Sequence, residues 1–180
     1  MNRYAIPECI TANQIKDARK KLGLTQAQFA CLLGVSKPTV ERWEASNKEI
    51  KGPIVMALYL LLNDEKNIER LLIPEKKTKL RLYYKYKNEL CTIIDVDELG
   101  RDISIKNFKR NIMFRAFGNN DDPSYEDYQE FLKSRCFPET RDKMKLILKD
   151  LNIPFYDPLL IIEKTQGRMA EDDFWIEVEH

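Results

Sequence analysis

Apolar residues along the first third of the chain fall at helical spacing. Ile15, Ala18 and Leu22 share one stripe, Phe29, Ala30 and Leu33 a second, and Val40 and Trp43 a third. Each stripe follows a helix-start signature. Thr11 and Gln14 form a capping-box pair flanked by Ile10 and Ile15, Thr25 and Gln28 repeat it between Leu24 and Phe29, and Ser36 stands as a cap between Val35 and Val40. Gly23 and Gly34 sit where helix C-termini require a left-handed residue. Gly52-Pro53 opens a fourth helix, and Asp64 a fifth that runs to Leu72. From Leu80 the period becomes two. Leu80–Tyr86, Glu89–Asp97 and Asp102–Lys106 read as strands, joined at Lys87-Asn88 and at Glu98-Leu99-Gly100-Arg101. Helical spacing then returns. Ser124 caps a helix carrying Tyr125, Tyr128, Phe131 and Leu132. Thr140 caps one with Met144, Ile147, Leu148 and Leu151 inward. Asp157-Pro158 starts one carrying Leu160, Ile161 and Lys164 and ending at Gly167. Phe174–Val178 reads as a closing strand.

The change of period coincides with a proline and a charge run at Ile73–Lys79. The pattern predicts an all-α domain of five helices over residues 1–73, a linker at 74–79, and a small α+β domain over 80–180. Charge divides at the same place. Residues 1–79 hold 14 Lys+Arg against 9 Asp+Glu, and residues 80–180 hold 16 against 20, so a net charge of +1 conceals a basic front and an acidic back. The front is the module suited to a polyanion. Apolar residues make up 43% of the chain, which excludes disorder from low hydrophobicity. The longest apolar run, Ile54–Leu62, is too short to span a bilayer. Met1-Asn2-Arg3-Tyr4 leads to Pro7 with no apolar stretch of the kind a signal peptide needs, so a cytoplasmic protein is expected.

Catalytic and metal chemistry find little support. The four cysteines, Cys9, Cys31, Cys91 and Cys136, are too far apart for a metal knuckle or a redox motif, and the one histidine is His180. Reduced, mostly buried thiols are expected. The six glycines form no phosphate loop, Glu171-Asp172-Asp173 reads as a solvated rim, and Cys136 has no base beside it in the sequence. No catalytic residue, metal or cofactor is expected, and hence no enzyme.

Short helices joined by tight glycine turns, the second followed at once by a third with few apolar residues, form a helix-turn-helix pattern. Its third helix opens with Ser36, Lys37, Pro38 and Thr39 and continues through Glu41 and Arg42, an exposed face rich in hydrogen-bonding groups. A helix N-terminus carries partial positive charge and enters the major groove first in this geometry. Lys37 and Arg42 can reach guanine edges or phosphates, and Gln26 can donate to a phosphate at the start of the second helix. The alternative is a small helical bundle without a DNA role.

The series Leu22-Gly23-Leu24-Thr25-Gln26, Phe29-Ala30, Leu33-Gly34-Val35-Ser36, Thr39-Val40 and Trp43-Glu44 resembles the Cro/phage-repressor (XRE) type of helix-turn-helix over about residues 10–72. The resemblance implies a homodimer on a palindromic double-stranded operator. It implies that Ser36–Ala45 reads the major groove, Gln26 binds phosphate, and Lys37, Pro38 and Arg42 face base edges. It also implies a partly buried ion pair between Arg19 and Glu44. Where that family commonly has glycine after the third helix, this chain has Ser46-Asn47, and Asn47 is expected to take the left-handed turn.

In the second module, Glu89–Asp97, then Ser134-Arg135-Cys136-Phe137-Pro138-Glu139-Thr140-Arg141, then Asp173-Phe174-Trp175-Ile176 are similar in order and spacing to the small domain that precedes the kinase core in HipA-like toxins. That resemblance implies a binding module without the kinase residues, and so an antitoxin-like autorepressor partnered by a HipA-like kinase. The alternative is a stand-alone, phage-type repressor whose second domain mediates oligomerisation or senses a ligand. Arg135, Phe137 and Arg141 are the candidate partner contacts, since arginine and aromatics are enriched at interface hot spots. A competing reading pairs both arginines with local acids such as Glu139 and Asp142.

Overall fold

The computed structural model describes residues 7–63 and 70–180. The chain divides into two compact units, Met1–Leu72 and Ile73–His180.

The first unit contains four described helices: α1 (Ala12–Lys21), α2 (Gln26–Leu33), α3 (Lys37–Glu44) and α4 (Pro53–Asn63). The fifth helix expected from Asp64 lies for the most part outside the described residues. Reciprocal capping boxes start α1 and α2: the hydroxyls of Thr11 and Thr25 accept from the N–H of Gln14 and Gln28, whose side chains accept in return from the cap N–H groups. Gly23, at φ +66°, lets α1 end with Leu24 N–H donating to Arg19 O and Gly23 N–H to Lys20 O, the two bonds of a Schellman motif. Ser36 starts α3, but its hydroxyl makes no cap bond; it pairs with the Thr39 hydroxyl at 2.9 Å. The end of α3 also differs from expectation. Asn47 is not among the residues with positive φ. Ala45 stays right-handed, and the Ser46 hydroxyl closes the turn by accepting from Lys48 N–H and donating to Lys48 O. A serine turn does the work expected of a left-handed asparagine. Ile15, Ala18, Phe29, Ala30, Val40, Ile54, Val55 and Leu58 form the core, and Ile10 and Ile50 join it through a short two-bond bridge.

The second unit is an antiparallel sheet of four strands in the order β3-β2-β1-β4: β1 (Leu80–Tyr86), β2 (Glu89–Asp97), β3 (Asp102–Asn107) and β4 (Phe174–Glu179). Helices α5 (Tyr125–Ser134), α6 (Met144–Asp150) and α7 (Pro158–Thr165) lie between β3 and β4 in the chain. One sheet face supplies Leu80, Leu82, Tyr84, Ile94, Val96 and Ile176 to the core, where they meet Tyr128, Phe131 and Leu132 of α5 and Ile161 and Ile162 of α7. Ser124 and Asp157 cap α5 and α7 as expected. Thr140 does not cap α6. That helix starts four residues on, after Lys143 in the left-handed region, and only Leu148 and Leu151 of its expected inward set pack on the core.

The register of β1 on β2 contains a bulge. Tyr86 pairs with Glu89 and Lys85 with Leu90, but Tyr84 pairs with Thr92, so Cys91 is the extra residue. Its side chain is fully buried, and its carbonyl accepts from Phe108 N–H at 2.9 Å. The one-residue shift sets Arg81 opposite Asp95. Their pair is bidentate and buried, with Nε–Oδ1 at 2.6 Å and Nη2–Oδ2 at 2.7 Å, while Arg81 Nη1 donates to Pro74 O. Residues 74–79 are tied to this unit in other ways as well: Lys76 Nζ donates to Glu179 O, and Thr78 Oγ1 to Leu80 O.

Candidate nucleic-acid interface

Burial of Val40 and Trp43 against the core fixes which side of α3 turns outward. That side presents Ser36, Lys37, Pro38, Glu41, Arg42 and Ala45, all exposed; Thr39 is half-buried. Lys37 and Glu41 form an i,i+4 pair at 3.2 Å with both side chains about half exposed, a contact weak enough for a phosphate to replace. Arg42 has no ion-pair or hydrogen-bond partner among the described residues. Pro38 lies in the first turn, where its missing N–H leaves no backbone bond unmade.

Glu44, at the other end of α3, holds the three helices together. Its Oε1 accepts from Arg19 Nε at 2.6 Å, and its Oε2 accepts from Arg19 Nη2 at 3.1 Å and from Gln26 Nε2 at 2.9 Å. Arg19 Nη1 then donates to Leu24 O. The side chains of Arg19 and Glu44 are only 14% and 6% exposed, which makes this the partly buried pair implied by the resemblance. The Arg19 guanidinium holds the Glu44 carboxyl below the usual range, helped by Gln26, and Glu44 in turn raises Arg19. Sequence reasoning missed the link to Gln26. One amide N–H of Gln26 is committed to Glu44, which fixes the side chain at the start of α2, beside that helix's free N–H groups.

The three second-unit candidates are not brought together on one surface. Arg135 is 7% exposed and turned inward: Nε donates to Gly167 O, Nη1 and Nη2 grip Asp172 at 2.7 and 3.1 Å, and Nη2 also reaches Phe174 O. The guanidinium holds the Asp172 carboxyl below its ordinary value. A side chain that gives four hydrogen bonds to Gly167 O, Asp172 and Phe174 O is a brace between α5, the turn after α7 and β4. Its acid is Asp172, not Glu139 or Asp142. Phe137 is half-buried, and Arg141 is exposed with its guanidinium 5.9 Å from the Phe137 ring centre.

Cys91 and Cys136 are buried, but Cys31 is exposed and Cys9 half-exposed, so the expectation of mostly buried thiols holds for two of the four. Burial pushes the Cys136 thiol up to about 12, leaving it protonated and a poor nucleophile at neutral pH. Among the described residues no three metal-ligating side chains cluster, and no helix is long and apolar enough to cross a membrane.

Residues 15–62 match the helix-turn-helix family model. The match spans α1 to α4 and stops before the second unit. This type of domain is the DNA-reading element of transcriptional regulators. No curated protein and no solved structure matches the chain.

Proposed function

We propose that this chain is a sequence-specific DNA-binding transcriptional regulator that works in the cytoplasm as a homodimer on a palindromic operator. The observation that carries the reading is the pairing of an outward α3 face with the Arg19–Glu44–Gln26 network behind it. The network fixes the angle between α2 and α3, so that Gln26 meets a phosphate when Lys37, Pro38 and Arg42 meet base edges. Ser36 and Thr39 complete the contact set with their paired hydroxyls. Arg42, which has no internal partner among the described residues, is the principal reader.

The test is binding to a site selected from random duplexes, which should emerge as an inverted repeat. Arg42→Ala is expected to cost about 1–3 kcal/mol on that site and relax discrimination at one base pair. Gln26→Ala should weaken binding to specific and random duplexes alike. Equal losses on both duplexes for Arg42→Ala would remove it from the reading set.

In the finer form of this proposal the protein is an antitoxin-like autorepressor, and its second unit restrains a HipA-like kinase. Phe137 and Arg141 are the residues of the original set that remain open to such a partner. Co-expression with a HipA-like kinase encoded beside it should yield a co-purifying complex that Arg141→Ala weakens. Absence of a complex favours the alternative, a stand-alone repressor whose second unit serves oligomerisation or ligand sensing.

A further inference from the structure

We infer that the outer edge of β3 is a self-complementary seam, on which a second copy of this chain adds its own β3 antiparallel about a two-fold axis. The inference rests on the homodimer reading above and names the surface that would form it.

The two sheet edges are not alike. At the β4 edge, Phe174 N–H donates to Asp172 Oδ1 at 2.9 Å, Phe174 O accepts from Arg135 at 3.0 Å and Ile176 N–H donates to Gln166 O at 2.8 Å, so the outward backbone groups of the first half of the strand are already taken. At the β3 edge they are not. The bond from Phe108 N–H to Cys91 O, with Asn107 opposite Thr92, sets the phase of the ladder. Asp102, Ser104 and Lys106 face β2 with their backbone groups, and those of Ile103 and Ile105 point away from the sheet. Among the described residues no hydrogen bond takes them. Natural edges are protected by proline, bulges, covering segments or charged side chains, and on β3 the charges, Asp102 and Lys106, are of opposite sign and so can pair across a two-fold axis. β3 contains no proline, and its pairing with β2 has no bulge.

The sequence of this edge matches itself when reversed about Ser104. Antiparallel pairing at that register sets Ile103 against Ile105 of the second copy, twice, and each such pair exchanges two backbone bonds. Asp102 then faces Lys106 of the second copy at both ends, on the sheet face away from the helices, and Ser104 faces its own counterpart. Opposite charges directly across a strand pair stabilise it, and like charges do the reverse.

The test uses the full chain in sedimentation equilibrium. Wild type is expected to dimerise. Asp102→Lys and Lys106→Asp each oppose like charges twice and should each weaken the dimer by about tenfold or more. A 1:1 mixture of the two variants restores both attractions and should recover wild-type association as a heterodimer. Ser104→Arg, at an exposed position on the axis, should give the same loss as either charge variant. Single variants that dimerise like wild type, or a mixture no tighter than its components, would overturn the seam while leaving a homodimer through another surface. A wild-type chain that stays monomeric both free and on an inverted-repeat duplex would overturn the seam and the homodimer together.

Discussion

The two units are fixed by side chains that reach different distances along the chain. In the first, the hydroxyls that set the starts of α1 and α2, those of Thr11 and Thr25, bind backbone three residues away. In the second, Arg81 reaches 14 residues to Asp95 and Arg135 reaches 37 to Asp172. The Arg19–Glu44 pair, 25 residues apart, is the first unit's counterpart to those braces, and it ties helices whose ends are already set locally. A small helical unit can thus specify its elements one at a time, with one ion pair for their mutual angle. A sheet has no comparable local grammar for register; here a bulge at Cys91 and the buried Arg81–Asp95 pair mark the register that burial against the helices selects.

That contrast can be broken most severely at Arg81. The side chains of Arg81 and Asp95 are 3% and 11% exposed, and Arg81→Ala strands a carboxylate with little access to water. The expected loss is about 3–5 kcal/mol, confined to the second unit. The chain's two tryptophans separate the units: Trp175 reports on the second in a Trp43→Phe background, and Trp43 on the first in a Trp175→Phe background. Glu44→Ala in the first unit should cost somewhat less, about 3 kcal/mol, because Arg19 keeps its bond to Leu24 O. An unchanged denaturation midpoint would mean that water solvates Arg19 as well as Glu44 does.

Acid sharpens the comparison further. Glu44 and Asp172 both have carboxyls depressed in the folded state, by Arg19 and Arg135 respectively. Each contributes stability that is fully present above its ordinary value and lost as pH falls through the lower folded one. For Glu44 the loss begins below about 4.5, and for Asp172 below about 3.8. Glu44→Gln should flatten the acid limb of the first unit's stability and leave that of the second unchanged, as read by urea titrations over this range.

The smallest effects distinguish two caps that look alike in sequence. Thr25→Ala removes a working capping box and should cost about 1 kcal/mol. Ser36→Ala removes a hydroxyl that makes no cap bond and should cost only a few tenths. Equal losses in thermal melts would show that Ser36 caps α3 in solution.

Much of the first unit is legible in the sequence. The capping pairs, Gly23, Gly34 and the Gly52-Pro53 start are signals whose partners lie within one turn. The outward face of α3 followed from the placement of Val40 and Trp43. What was misread there is also local but chemically degenerate: Asn47 and Ser46 both suit a turn, and the serine hydroxyl, which bonds Lys48 in both directions, prevailed. Thr140 failed as a cap because Pro138, Arg141 and Lys143 shape the intervening loop, with Arg141 N–H donating to Pro138 O and the chain turning left-handed at Lys143. Arg135 looked like a surface residue because nothing in its neighbourhood names Asp172, an acid that reads as part of a solvated rim.

The amino-acid sequence by itself determined where helices begin, where the chain changes from helical to strand period, and which helix carries an exposed polar face. Those outcomes depend on hydrogen bonds and apolar spacings that close within a few residues. Tertiary structure alone decided the register of the sheet. A two-residue turn at Lys87-Asn88 without a bulge would set Arg81 opposite Ile94 and turn the apolar face of β2 away from the helices. Inserting Cys91 shifts the strand by one, so that Ile94 and Val96 enter the core and Asp95 meets Arg81 on the opposite face. That choice is made by burial against α5 and α7, elements more than twenty residues further along the chain, and no local pattern in β1 or β2 encodes it.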